Sequence, residues 1–355
     1  KNNYNKYTDG RYRMLITDVD LIYDIDFSRY EQFGSDNFYN IVEHKYTGKN
    51  SIFSNVLNSD YYRNKLLSII CDLWNTSFTK DHIISVFDEE FSKISLETET
   101  YLGFAERSNM EEIYLEDTKR LIQERETKLQ SDFEYYFGCK DKYSITMKCR
   151  DGISVSWNMN TLYADDEYKN DYYKNCCIEY TAFPYPGYVF DYWLVNGKNI
   201  SDNSTIIIDC SYGDNIEIVP VVRRVKQWVC IEEISAEGHS DWIRIRNVGE
   251  ESINLNNFWI SDKENPLEYQ LPDRILKPDE SIIINGSKNY NAVGDYICNF
   301  SLSSNEKLTL YDSDLSLYDS VIVPKMTDQE TYGRYNRSSK FVYISNFDGS
   351  RRELR

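Results

Sequence analysis

Apolar and polar positions change period once along this chain, close to Gly138. Before it, Leu66, Ile69, Ile70, Leu73 and Trp74 recur at three- and four-residue spacing, the signature of one apolar helix face. Thr79 is placed to cap a second helix with the stripe Ile83, Phe87, Phe91 and Ile94. Asn109 and Glu112 resemble a capping box and predict a long third helix, with Ile113, Leu121, Ile122, Leu129 and Phe133 inward. Gly138 is its expected C-cap. Beyond it the period is two. Ser144-Ile145-Thr146-Met147 and Gly152-Ile153-Ser154-Val155-Ser156-Trp157 alternate as strands do, and Pro184, Pro186 and Gly187 punctuate the next connection. Segments 205–208 and 215–222 complete a β-module of about 80 residues, a size at which a domain can stand alone. Residues 227–346 repeat the all-β pattern of short strands between Gly, Pro, Asn and Asp turns. A hairpin is predicted around Pro278-Asp279, with Ile275-Leu276 and Ile282-Ile283-Ile284 as its arms.

Bulk properties narrow the function classes. With 355 residues the chain should hold two or three domains. A formal charge of −18 excludes general nucleic-acid binding and adhesion to anionic membranes, both of which need basic surfaces. No apolar run approaches the length of a transmembrane helix. The chain opens on Lys1 and enters a strand almost at once, so it is expected to begin inside a domain, with any signal peptide outside it. The eight cysteines are too sparse for a disulfide framework. Vicinal Cys176 and Cys177 cannot bond to each other without strain. Each expected domain nonetheless holds an even number, which allows either bridges or buried free thiols. No Cys-x-x-Cys pair occurs, and His44, His82 and His239 lie on separate elements, which leaves structural zinc unsupported.

The strongest chemical signal is an acid pair in an apolar strand, Met14-Leu15-Ile16-Thr17-Asp18-Val19-Asp20-Leu21-Ile22. In a strand Asp18 and Asp20 share one face about 7 Å apart, near enough to hold one hard cation. Two desolvated carboxylates repel, so they require a cation, donors or a shifted pKa. The alternative is that the strand stops near Thr17 and both acids are solvated turn residues. Asp24 and Asp26 read as loop acids. Asp165-Asp166-Glu167 with Asp171 offers either a weak calcium ligand set or a solvated loop; EF-hand spacing is missing. Arg125 reads as the partner of a helix acid rather than a phosphate contact.

The opening, Asn2-Asn3-Tyr4-Asn5 through Arg11-Tyr12-Arg13-Met14-Leu15-Ile16-Thr17-Asp18-Val19-Asp20-Leu21, resembles the second half of a CotH-type atypical kinase. So do Leu73-Trp74-Asn75-Thr76-Ser77-Phe78, Arg125-Glu126-Thr127-Lys128-Leu129 and Phe137-Gly138. The resemblance covers residues 1 to about 138. It implies phosphoryl transfer from ATP, with Asp18 and Asp20 as catalytic acids holding Mg²⁺ against the phosphates. Arg13 departs from the family's usual aromatic. The family's phosphate-contacting lysine and glycine-rich segment should precede residue 1, so this piece by itself should be inactive. Ala182-x-Pro184-x-Pro186-Gly187-Tyr188-Val189-Phe190-x-x-Trp193-x-Val195-Asn196-Gly197 resembles an internalin-B-type repeat. Tyr188, Phe190 and Trp193 then fill a small core; a sugar platform is the alternative use.

Glu233-Ile234, Asp241-Trp242-Ile243-x-Ile245-x-Asn247-x-Gly249, Ile253-Asn254-Leu255, Phe258-Trp259-Ile260-Ser261-Asp262, Leu271-Pro272, Phe300-x-Leu302, Leu308-x-Leu310 and Tyr332-Gly333-Arg334 resemble the lamin-tail domain. That resemblance implies an immunoglobulin-like sandwich, Trp242 and Trp259 as core aromatics, and Asp241 and Asp262 as turn acids satisfying backbone donors. Arg244 departs from the family's usual Glu.

The expected architecture is thus multidomain α+β. A partial atypical-kinase C-lobe, mostly helical after a first strand, spans 1–139. A small all-β module comes next at 140–225, then the immunoglobulin-like β-sandwich at 226–346 and a tail at 347–355. The expected function is the C-terminal portion of a bacterial, secreted or cell-surface kinase. Its alternative is a non-catalytic extracellular binding or adhesion protein on a degenerate kinase-like scaffold. Partners are expected to be a protein substrate or a cell-envelope component.

Overall fold

The computed structural model describes residues 58–101, 137–236, 241–263, 265–287 and 296–345, the strand at 351–352, and scattered positions between 116 and 135. The structure is mostly β, with 44% strand against 21% helix. This corrects the α+β expectation and its mostly helical kinase C-lobe. Helix-period sequence ends at Gly138, and short strands fill most of the chain beyond it, so the period-two part dominates. By contacts the chain divides into two compact units, Lys1–Lys142 with Tyr172–Cys176, and Tyr143–Asp171 with Cys177–Arg355.

The first unit holds helices α1 (Asp60–Asn75) and α2 (Lys80–Tyr101). The buried face of α1 is Leu67, Ser68, Cys71 and Asp72, one position round from the predicted stripe. Leu66, Ile69, Ile70, Leu73 and Trp74 are only half-buried. The rotation puts a thiol and a carboxylate inside, where the Tyr172 hydroxyl donates to Asp72 and Trp74 meets Tyr173 edge-on at 6.4 Å. Thr79 caps α2 as expected, its Oγ1 accepting from the His82 amide at 3.3 Å, and Phe87 stacks on Phe91. Gly138, at φ +60°, lets Cys139 N–H return to the Glu134 carbonyl at 3.1 Å and stops the last helical turn.

The second unit starts with two sheets. The strands are β1 (Lys142–Lys148), β2 (Ile153–Trp157), β3 (Asn160–Leu162), β4 (Glu167–Tyr173), β5 (Ile178–Pro184), β6 (Tyr188–Val195), β7 (Lys198–Ser201), β8 (Thr205–Ile208) and β9 (Asn215–Arg224). One sheet runs β4-β1-β9-β6-β7 and the other β3-β2-β5-β8. Strict alternation in β1 turns Tyr143, Ile145 and Met147 inward. Pro220 is tolerated in the central strand β9 because parallel pairing with β1 ends at Met147↔Ile218, so no donor is missed on that side. Asn196 and Gly197, both at positive φ, turn β6 into β7 as the sequence predicts. Trp193 is fully buried and its indole N–H donates to the Asn203 carbonyl at 3.0 Å, which removes it from any sugar platform.

A sandwich completes the unit. Its strands are β10 (Val229–Ser235), β11 (Trp242–Asn247), β12 (Ile253–Asn254), β13 (Phe258–Ser261), β14 (Tyr269–Gln270), β15 (Ile275–Leu276), β16 (Ser281–Asn285), β17 (Tyr296–Ile297), β18 (Lys307–Asp312), β19 (Leu317–Ile322), β20 (Glu330–Arg334), β21 (Phe341–Ser345) and β22 (Arg351–Arg352). The sheets are β17-β16-β11-β10-β20-β21-β22 and β14-β13-β18-β19, with β12-β15 as a short third. Ile231, Ile243, Ile245, Leu255, Ile260 and Leu308 lie in the aliphatic core between them. Trp242 and Trp259 are half-buried, not core; they sit on the opposite phase of the strand alternation from Ile243 and Ile260.

The predicted 275–284 hairpin does not form. Glu280 N–H does close a turn on the Lys277 carbonyl at 3.0 Å, but its arms join different sheets. β15 pairs with β12 and β16 with β11. Asn247 separates them: its side-chain amide donates to the Leu276 and Glu251 carbonyls, while its own carbonyl accepts from Asp279 N–H.

Candidate functional site

Asp18 and Asp20 lie outside the described residues, as do Asp24, Asp26, Arg125, His44 and His239. His82 is exposed on α2. Asp165, Asp166, Glu167 and Asp171 do not converge: Asp166 lies in a turn closed on Tyr163, and Asp171 accepts from Ser144 across β4 and β1. No group of three or more His, Cys, Asp or Glu side chains suited to a metal ion occurs among the described residues.

The fold does build a cleft where the small β-module meets the sandwich. Only Val225 to Trp228 separate β9 from β10, and these residues are hydrogen-bonded to both neighbours. Val225 N–H donates to the Gly187 carbonyl at 2.8 Å, and Glu250 and Glu251 amides donate back to Val225 and Lys226. Gly187 approaches so closely that a Cβ would meet the Val248 carbonyl at 2.6 Å. Arg224 adds a bond to that carbonyl at 2.7 Å and an ion pair with Asp279 at 2.9 Å. Burial works to raise the Asp279 carboxyl, but Arg224 and Arg246 outweigh it and hold it below its ordinary value. On another side Tyr163 packs edge-on to Tyr335 at 4.8 Å. These contacts fix the angle at which the two β-modules meet.

The cleft has a volume of about 490 Å³, bordered by Pro184, Pro186, Tyr188, Trp228, Tyr318 and Phe341. Trp228 and Tyr318 lie 4.6 Å apart between ring centres. Tyr188 is oriented by its hydroxyl, which donates to Asp151 at 2.8 Å; burial, then that bond, pushes the phenol up to about 12. Asp319 and Arg334 form the polar floor. Arg334 donates to Asp319, to the Ile231 carbonyl at 2.8 Å and to the Ser338 carbonyl at 3.0 Å, with Phe341 over its guanidinium. Asp319 also accepts from Ile231 N–H at 2.7 Å. The pair therefore closes the seam between the two sheets of the sandwich. Its donors face protein acceptors, which suits a scaffold rather than a reacting group.

Of the aromatics singled out in the sequence, Tyr188 alone borders this cleft. Trp228 carries a signal that strand patterning misses: a large aromatic two residues after the basic stretch Arg223-Arg224-Val225-Lys226. Tyr318 and Phe341 carry none, because each joins the cleft only through the folding of distant strands.

Two turn acids diverge. Asp241 accepts from Leu302 N–H at 3.1 Å, as expected. Asp262 does not satisfy backbone donors. Its buried Oδ1 has no hydrogen bond, and Lys263 Nζ stands 3.7 Å away. Burial first, then the neighbouring Glu268 carboxylate, pushes its carboxyl up to about 6. For Glu268, burial is outweighed by bonds from Lys263, Asp262 and Ser261, which hold it below its ordinary value.

Two stacked sheets with an aliphatic core between them define a domain of immunoglobulin-like sandwich type. Residues 224–325 match the Lamin Tail Domain family, and that segment is accordingly a lamin tail domain. No curated protein matches the chain. Among solved structures, a DUF4876 family protein from Bacteroides thetaiotaomicron is 13% identical, over 59% of this chain and 68% of that one, with a TM-score of 0.15. So low a score carries no argument about fold or function.

Proposed function

We propose that this chain is a non-catalytic binding protein of a bacterial surface or secreted assembly, and that the cleft between its β-modules takes an extended, proline- or aliphatic-rich peptide. The observation that carries the reading is the aromatic- and proline-walled cleft at a hydrogen-bonded junction. Its volume falls within the usual range for ligand sites, and grooves lined by aromatic rings suit polyproline-type segments, which lose little entropy on binding. Peptides enriched from a display library against the full chain test it. Trp228→Ala should weaken their binding about tenfold or more, while Trp259→Ala, away from the cleft, should leave it unchanged. Equal binding to Trp228→Ala would sink the reading.

The phosphoryl-transfer role of Asp18 and Asp20, with ATP and Mg²⁺, is a second proposal resting on the sequence resemblance of residues 1 to about 138, as does export. If a protein extended upstream consumes ATP in Mg²⁺ and Asp18→Asn leaves the rate unchanged, the role of that acid fails. The likeness of 182–197 to an internalin-type repeat belongs with these proposals too.

A further inference from the structure

We propose that Cys71 and Cys176 form a reversible disulfide bond, a redox-controlled cross-link holding α1 against the 172–176 segment. All eight cysteines are free thiols in this structure. Cys71 and Cys176 are 3% and 1% exposed and belong to the same compact unit. Each thiol is near enough to shift the other's titration, and the main chain of Tyr173 acts on both. The contact is braced on each side. Cys176 N–H closes a turn on the Tyr173 carbonyl at 2.8 Å, the Tyr172 hydroxyl holds Asp72, and Trp74 packs on Tyr173. Positions 72 and 74 of one helix thus meet 172 and 173 at the end of β4, and the turn after it brings Cys176 back toward Cys71.

Other uses of these sulfurs fit less well. Cys139 is a third buried thiol in the unit, yet no trio of ligands with metal-holding geometry occurs among the described residues. Cys177 is half exposed rather than buried. The two partners also differ in readiness to react. The Cys176 thiol donates to Cys71, and with Tyr173 and Lys142 this outweighs burial and holds Cys71 below the ordinary thiol range. Cys176 is pushed up by that same bond and by burial.

With glutathione disulfide as oxidant, the Cys71 thiolate attacks one of its sulfurs and releases a glutathione thiolate. Cys176 then loses its proton to solvent and attacks the Cys71 sulfur of the mixed disulfide, releasing the second glutathione. Two protein thiols lose two electrons and two protons, and one glutathione disulfide becomes two glutathiones. Burial confines the exchange to folding or local opening of α1.

The test is thiol counting on the full chain equilibrated in glutathione buffers, quenched, denatured and alkylated. Six of the eight cysteines should react in the oxidised sample and all eight in the reduced one. The oxidised chain should melt about 5–10 °C higher, because a loop of this length constrains the unfolded state strongly. Cys71→Ser and Cys176→Ser should abolish both the protected pair and the shift, whereas Cys177→Ser should keep them. That comparison matters because Cys176 and Cys177 share a tryptic peptide. If a variant fails to fold, peptide mapping of the wild-type chain decides, by linking the Cys71 peptide to the one beginning at Asn175. Eight reactive thiols at every redox ratio, or an unchanged protected pair in Cys71→Ser, would overturn the proposal.

Discussion

The inward face of α1 and the core of the lamin tail domain bury residues by opposite means. The sandwich encloses a continuous aliphatic cluster in which Ile231, Ile245, Leu255, Ile260, Leu308 and Leu310 are all at 0% exposure. Such a core is held by non-directional apolar burial, which adds up over many side chains. The face of α1 is instead Leu67, Ser68, Cys71 and Asp72, and its contacts are directional: a phenol on a carboxylate and a thiol on a thiol. Directional contacts place an element accurately, but each is lost whole when one partner changes. The sandwich should therefore respond to changes in volume, and the helix to changes in hydrogen bonding or redox state.

Paired truncations would break that comparison most sharply. Ile260→Ala should cost the sandwich about 2–5 kcal/mol through lost burial and a residual cavity. Tyr172→Phe should cost about 1–3 kcal/mol by removing the donor it gives Asp72. Amide exchange reads both at once: the first should speed exchange across β10, β11 and β13, the second across α1 alone. If Tyr172→Phe loosened the sandwich as much as the helix, the two-unit picture would be wrong.

The smallest expected effect concerns the acid pair of the sandwich. Asp262 sits above its ordinary value at about 6, so the folded state binds its proton more tightly than the unfolded state does. Its contribution to stability is thus greatest at low pH and is lost as pH rises from about 4 through about 6. Glu268, held below its ordinary value, supplies the opposite slope at lower pH. Asp262→Asn should raise stability above pH 6 by about 1–2 kcal/mol and flatten the profile there. Thermal melts between pH 4.5 and 8 measure this. An unchanged profile would mean that Lys263 neutralises Asp262 fully.

Period alone makes much of the fold legible. Tyr143, Ile145 and Met147 face inward because strands alternate, and the β6–β7 turn arises from Asn196-Gly197. The lamin tail domain is readable from its motifs in order, and the family match over 224–325 agrees. The departures share a cause. Apolar spacing puts the α1 stripe on Leu66, Ile69, Ile70, Leu73 and Trp74, but the buried face is set by groups that Tyr172 and Cys176 offer from about a hundred positions away. The turn within 275–284 forms as its Pro-Asp pair predicts, yet Asn247 sends its arms to different sheets. No local pattern encodes a partner on another strand.

By itself, then, the sequence determined where helix gives way to strand, which strand faces turn inward, and that the last module is a lamin tail domain. The first two depend on neighbours a few residues apart, and the third on motifs that follow the family's order along the module. The cleft, the Asp319–Arg334 seam and the Cys71–Cys176 contact were decided only by tertiary structure. Each joins residues distant in the chain, and their chemistry exists only once packing has removed water and brought the groups within bonding distance.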